Sequence, residues 1–184
     1  MAIAFHISYD KAIEAIAWLA NKKPGIDIYH VAKVLFFAEK EHVNCFARPI
    51  LGDKYVKLPF GPAPSSVVNL ISSNDSWLSP LHLEKLEQAV NISSKADKYQ
   101  ITPKRAANTE YFSSSDLDCL EKSLTLYGDM SFDDLYNLTH AEKCYILAEE
   151  PAGQIDYALM VDDNNPHRIE ILNHMREVSK YITV

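Results

Sequence analysis

The chain has 184 residues, 47% of them apolar and 23% charged, which suits one soluble globular domain and is short for two. No apolar run reaches the ~18 residues of a membrane span, and the start MAIAFHISYDK has no basic leader segment. Three cysteines, Cys45, Cys119 and Cys144, make a poor disulfide framework, so the expected location is the cytoplasm, with no membrane partner.

Ser8 is placed to cap a first helix over YDKAIEAIAWLANKK, with Ile13, Ile16, Ala17 and Ala20 on one face and Pro24–Gly25 ending it. Asp27 is placed to cap a second helix over IYHVAKVLFFAEKEHVN. Val31, Val34, Leu35 and Ala38 form its core face, and Phe36 and Phe37 make it apolar nearly all round, which predicts a central helix.

The stretch YVKLPFGPAPSS at 55–66 mixes Tyr, Val, Leu and Phe with three prolines and a glycine. That many breakers argues against a core strand. The segment reads as a pinned loop in which Gly61 supplies a turn and Pro62 and Pro64 set the entry to a short helix carrying Val67, Val68, Leu70 and Ile71. Residues 72–80 read as a loop and LHLEKLEQAV as a helix. VNISS and KYQITP read as a short β-hairpin.

A helix over FSSSDLDCLEKSLTLYGDM is expected, capped by Ser114 or Ser115 and stopped at Gly128. SFDDLYNLTH forms a smaller one capped by Ser131, with Asp134 three residues on. Thr139 is placed to cap a further helix over HAEKCYILAEE, which puts His140 at a helix N-terminus. Residues 164–184 form a C-terminal helix with Ile169, Leu172, Met175 and Val178 on one face and Pro166 near its start. The expected fold class is mainly α, a multi-helix single domain over 1–184 with a small β-hairpin; α+β is the alternative.

The net charge of −7 is uneven. Residues 1–57 hold eight Lys/Arg against six Asp/Glu, and residues 111–163 hold two Lys against twelve Asp/Glu. An acidic half repels phosphate backbones, so direct nucleic-acid binding is not expected. It reads either as a solvated face or as a docking surface for a basic protein, and Asp129, Asp133 and Asp134 are its candidates. Four aromatic residues, Tyr55, Phe60, Trp77 and Tyr127, look exposed and join that candidate list, because loop aromatics are enriched at interfaces.

No glycine-rich phosphate loop and no GxSxG elbow occur. His42 with Cys45 and His140 with Cys144 have spacings open to a Cys2His2 metal set, yet neither has the context of a zinc knuckle or finger. No metal and no cofactor are therefore expected. Seven His and three Cys offer only accidental nucleophile pairs, so a Cys/His hydrolase is the least favoured reading.

The order of AKVLFFAEKEHVNCFARPILGDKYVKLPFGPAPSSVVNLI and ITPKRAANTEYFSSSDLDCLEKSLTLYGDMSFDDLYNLTHAEKCYILA resembles the Panacea domain of SocA-like antitoxins, a phage-associated family. A KLLYLA-type helix is matched by Lys33, Leu35 and Ala38. A following G-x-P-I-x-G-D-x-Y-x-A-x-x-Y-G-P-V pattern is matched by Pro49, Ile50, Asp53, Tyr55, Gly61 and Pro62. Later elements are matched by Phe112, Ser113, Leu120, Tyr127, Gly128, Leu135, Thr139 and His140. Lys57, Phe60 and Ala63 depart from that pattern, and the resemblance covers roughly residues 10–150. It implies a non-enzymatic antitoxin that neutralises a cognate protein toxin, encoded nearby, by direct contact. It implies as an alternative an adaptor that delivers its toxin to a Clp-type protease. It supplies no catalytic residue.

Overall fold

The computed structural model describes residues 3–73, 78–95, 98–149 and 153–179. Eight helices and five short strands are formed among them: α1 (Tyr9–Lys22), β1 (Ile26–Asp27), α2 (Ile28–Phe46), β2 (Tyr55–Leu58), β3 (Gly61–Pro64), α3 (Ser65–Ser72), α4 (Pro80–Ala89), β4 (Val90–Lys95), β5 (Lys98–Pro103), α5 (Ser114–Tyr127), α6 (Phe132–His140), α7 (Lys143–Ile146) and α8 (Arg168–Val178). The molecule is α-dominant with small antiparallel sheets.

The first two helices start where their caps dictate. The Ser8 hydroxyl accepts from the Lys11 amide at 3.4 Å and the Asp27 carboxylate from the His30 amide at 2.8 Å. Helix α2 lies between two hydrophobic clusters. Val31, Val34, Leu35 and Ala38 face a larger one built with α1, α3, the β4–β5 hairpin and α5. Phe36, Phe37 and Val43 face a second one, built with Tyr55, Leu135, Cys144, Tyr157 and the inner side of α8. A helix walled by core on both sides explains an apolar pattern that runs nearly all the way round.

The β4–β5 hairpin forms as its alternation predicts, and β1 adds a third strand by pairing Ile26 with Ile101. Residues 55–64, however, are a second hairpin, in the register Tyr55↔Pro64, Val56↔Ala63, Lys57↔Pro62 and Leu58↔Gly61. Proline is tolerated because Pro62 and Pro64 share one parity on β3, turning their missing N–H groups away from β2. The Pro62 carbonyl accordingly points outward and accepts a hydrogen bond from Lys33 Nζ at 2.9 Å.

The later helices shift their ends. Ser113, rather than Ser114 or Ser115, caps α5, in a capping box whose second half is the Asp116 carboxylate accepting from the Ser113 amide at 3.0 Å. Gly128 ends α5 with right-handed φ of −64°, so it is not a left-handed terminator. Helix α6 runs on through Thr139 to His140, and Glu142 precedes a short α7. Thr139 is therefore no N-cap: its hydroxyl bonds back to the Leu135 carbonyl at 2.8 Å, inside the last turn. In α8 the buried face is Ile171, Leu172 and Met175, while Ile169 is 75% exposed. No described helix is long and apolar enough to cross a membrane.

Candidate functional site

Three acids are buried in and around α2, and each is surrounded by donors. The Glu39 carboxyl accepts from the amides of Ile50, Leu51 and Gly52 at 2.7, 3.1 and 2.8 Å, and from the Tyr157 hydroxyl at 2.8 Å. The turn after Pro49, itself buried, is thereby folded around one side chain. Asp53 accepts from the amides of Lys54, Ser66 and Val67 at 2.7, 3.1 and 3.0 Å. The latter two open α3, whose Pro64 cap contributes no side-chain hydrogen bond. Burial pushes the Asp53 carboxyl up, against the pull of those bonds. Asp116 lies 3.1 Å from Lys11 Nζ, 3.1 Å from His42 Nε2 and 3.0 Å from Arg48 Nη2. Burial opposes its charge, but His42, the Ser113 amide, Lys11 and Arg48 outweigh burial and hold the carboxyl below its usual range.

Lys33 differs from these three. It is only 2% exposed, yet its ammonium meets one carbonyl, that of Pro62, and the face of Tyr29 at 4.9 Å. Burial alone lowers its pKa to about 7, with no acid among the described residues paired to it. Gly61, at φ +100°, closes the space above it. A Cβ there would fall 2.8 Å from Lys33 Nζ and 2.6 Å from Thr139 Oγ1. The glycine is thus required twice, by its backbone angle and by the approach of α2 and α6.

Lys33, Gly61 and Phe60 line a groove of about 530 Å³ together with Ile28, Tyr29, Ala63, Val68, Tyr99 and Phe132. Its charged members are Asp27, His30, Lys33 and Lys98. Asp27 is already engaged, since both its oxygens lie 2.9 Å from His30 Nδ1. The hydrogen bond to Asp27 raises the His30 pKa, while burial of Asp27 is outweighed by its bonds with His30, which keep that carboxyl low. Tyr29 is pushed up to about 12 by burial, then by Asp27 and Asp133.

Exposed aromatic rings extend the groove outward. Phe60 is 61% exposed and Phe132 45%. Their rings meet edge-on at 5.8 Å, and Phe132 lies 4.7 Å from Tyr29. Along α6 the ladder continues through Tyr136 to His140, stacked at 3.7 Å. His140 sits at the C-terminal end of α6, not at a helix N-terminus. It is half-buried, faces the Pro59 carbonyl at 3.2 Å and the Tyr145 hydroxyl at 3.0 Å, and so ties the β2–β3 turn to α6.

Among the sequence-derived candidates, Phe60, Lys33, Gly61, Pro62, Thr139 and His140 converge here. Tyr55 does not belong to a surface: it is fully buried against Phe36 and Tyr157. Tyr127 is half-buried and stacked on Phe37 at 4.0 Å. Asp129 is exposed and paired with Lys23, Asp134 accepts from the Ser131 hydroxyl at 2.7 Å, and Asp133 is exposed near Tyr29. Trp77 lies outside the described residues. His42 is buried while Cys45 is exposed, and no described group of three or more His, Cys, Asp or Glu side chains is placed to hold a metal ion. Sequence reading missed Tyr29, Phe132 and Tyr136. The signal was present in the spacing of Phe132, Tyr136 and His140, four residues apart on one helix face.

A helical scaffold with an open aromatic groove and a buried lysine that has no acid paired to it among the described residues defines an α-dominant domain. The family model described as antitoxin SocA-like, Panacea domain, matches residues 31–145, more than half of the chain, and the chain belongs to that family. The match runs from α2 through most of α7 and takes in Lys33, the β2–β3 hairpin and the whole of α6. Neither the comparison with curated proteins nor that with solved structures gives a match.

Proposed function

We propose that this chain is the antitoxin of a toxin–antitoxin pair and neutralises a toxin encoded beside it by direct protein contact, without catalysis of its own. Membership of the SocA-like antitoxin family over residues 31–145 carries the reading. The groove supports it: exposed Phe60 and Phe132, rimming apolar walls, are the kind of aromatic anchors that concentrate binding energy at interfaces.

Co-expression is the test. The neighbouring open reading frame is induced alone and together with this chain, and the pair is then passed over an affinity tag on the chain. Growth is expected to stop in the first case and resume in the second, with both proteins eluting together. A neighbour that is harmless, or a toxic one that is neither rescued nor retained, ends the proposal. An unchanged toxin half-life under rescue assigns neutralisation to sequestration, whereas a shortened one assigns it to delivery to a protease.

A further inference from the structure

The groove's chemistry bears on what it receives. Lys33 Nζ has three donors, of which one is taken by Pro62. Pairing is the usual condition for burying an ammonium, and among the described residues the condition is not met. Among the described residues the groove's one lining acid, Asp27, is committed to His30, and the exposed Lys98 on β5 adds a second positive charge. The walls around these cations are apolar and aromatic.

We infer that the groove accepts an apolar segment of the partner carrying a carboxylate, and that this acid pairs with Lys33 under the rim of Phe60, Tyr29 and Phe132. The inference rests on the toxin-binding reading and gives it a chemistry opposite to that of the acidic half: the acid comes from the partner and the base from this chain. Charge complementarity selects the occupant, since a basic segment would add a cation beside one that is already uncompensated.

An amine that titrates near neutrality in the free chain and is held charged by a bound acid makes binding take up a proton above pH 7. The titratable groups that line the groove with it are Asp27 at the α2 cap, Tyr29 and His30 in the first turn of α2, and Lys98 and Tyr99 on β5, while Asp133 and Tyr136 on α6 act on Tyr29 and His140 stacks on Tyr136.

The probe is 3-phenylpropionate, with 3-phenylpropanamide and 3-phenylpropylamine as controls, titrated into the free chain by NMR and by calorimetry in two buffers of different ionisation enthalpy. The acid is expected to bind at least tenfold more tightly than the amide or the amine. Proton uptake is expected at pH 8 and should shrink towards pH 6. Lys33→Met should remove both the preference and the uptake. Phe60→Ala should weaken acid and amide alike. In the toxin complex, Lys33→Met should reduce retention at least tenfold. Equal binding of acid and amide by the wild type, or no proton uptake at pH 8, overturns the inference and needs no variant to fold. Wild-type retention of the toxin by Lys33→Met overturns it too. Failure of rescue in the co-expression experiment, with acid preference intact, would instead strike the antitoxin reading.

Discussion

Glu39 and Lys33 sit six residues apart on the same helix, both almost fully buried, and the fold treats them in opposite ways. Around Glu39 the chain wraps three amides and a tyrosine hydroxyl. Around Lys33 it places one carbonyl and one ring. Buried charge that is surrounded by donors organises a structure, because each donor would be stranded without it. Buried charge left with a single neutral acceptor does little for the fold, and in the inference above its counter-charge is an acid of the partner.

That contrast can be broken experimentally, beginning with the largest effect. Glu39→Ala strands three amides, leaves the Tyr157 hydroxyl only the Asp53 carbonyl at 2.9 Å, and should cost about 4 kcal/mol in urea unfolding. A loss under 1 kcal/mol would mean that the 50–52 turn does not depend on it. Asp116→Asn should cost about 3 kcal/mol at neutral pH by leaving Lys11 and Arg48 facing a neutral amide. The wild-type carboxyl titrates below its usual range in the folded chain. Its contribution is therefore complete above pH ~4 and disappears as the pH falls further, so the two proteins should converge in acid. A gap undiminished at pH 2 would show that packing, not charge, was lost.

Gly61→Ala should cost about 2 kcal/mol, from a strained φ and from crowding Thr139 and the Lys33 amine. Thermal melts with Thr139→Ala beside it, which removes the Oγ1 that the new Cβ would meet, would show whether the crowding is relieved. Lys33→Met has the smallest expected effect, and it is of opposite sign: no loss, and a gain of up to about 2 kcal/mol. The folded amine has a pKa of about 7 against the ordinary 10.5, so between those values the unfolded chain binds the extra proton. Wild-type stability should therefore rise with pH across that window and be flat below it, and Lys33→Met should lack the rise. A variant that is strongly destabilised at pH 7 would place Lys33 with the structural acids.

Much of the scaffold is legible in the sequence because local chemistry agrees with tertiary demand. Ser8, Asp27 and Ser131 begin helices where their side chains find amides, and β4–β5 alternates as a half-exposed hairpin should. The β2–β3 hairpin is hidden because proline is read as a breaker without regard to parity, and parity shows only once the pairing is known. Tyr55 looks like a loop aromatic for the same reason, and becomes core when its ring is seen against Phe36 of α2 and Tyr157. His140 moved from one helix end to another because Thr139 resembles an N-cap, while its hydroxyl bonds backwards to Leu135. In the site, Lys33 and Phe60 were named and their roles were not, because the absence of an acid beside an amine is a property of three-dimensional neighbours.

Asp53 carries a further consequence, for how the chain assembles. Helix α3 has eight residues, too few to persist alone in water, and the carboxyl that receives its first amides lies before the hairpin rather than beside the helix. The amides of Ser66 and Val67 can reach Asp53 only after β2 and β3 have closed, and the Lys54 carbonyl then takes the Ser65 amide as well. Hairpin and helix therefore form as a single cooperative unit, and they open as one. The turn that presents Phe60 lies at the far end of this unit, so its position depends on a lock outside the groove as well as on the ties from His140 and Lys33.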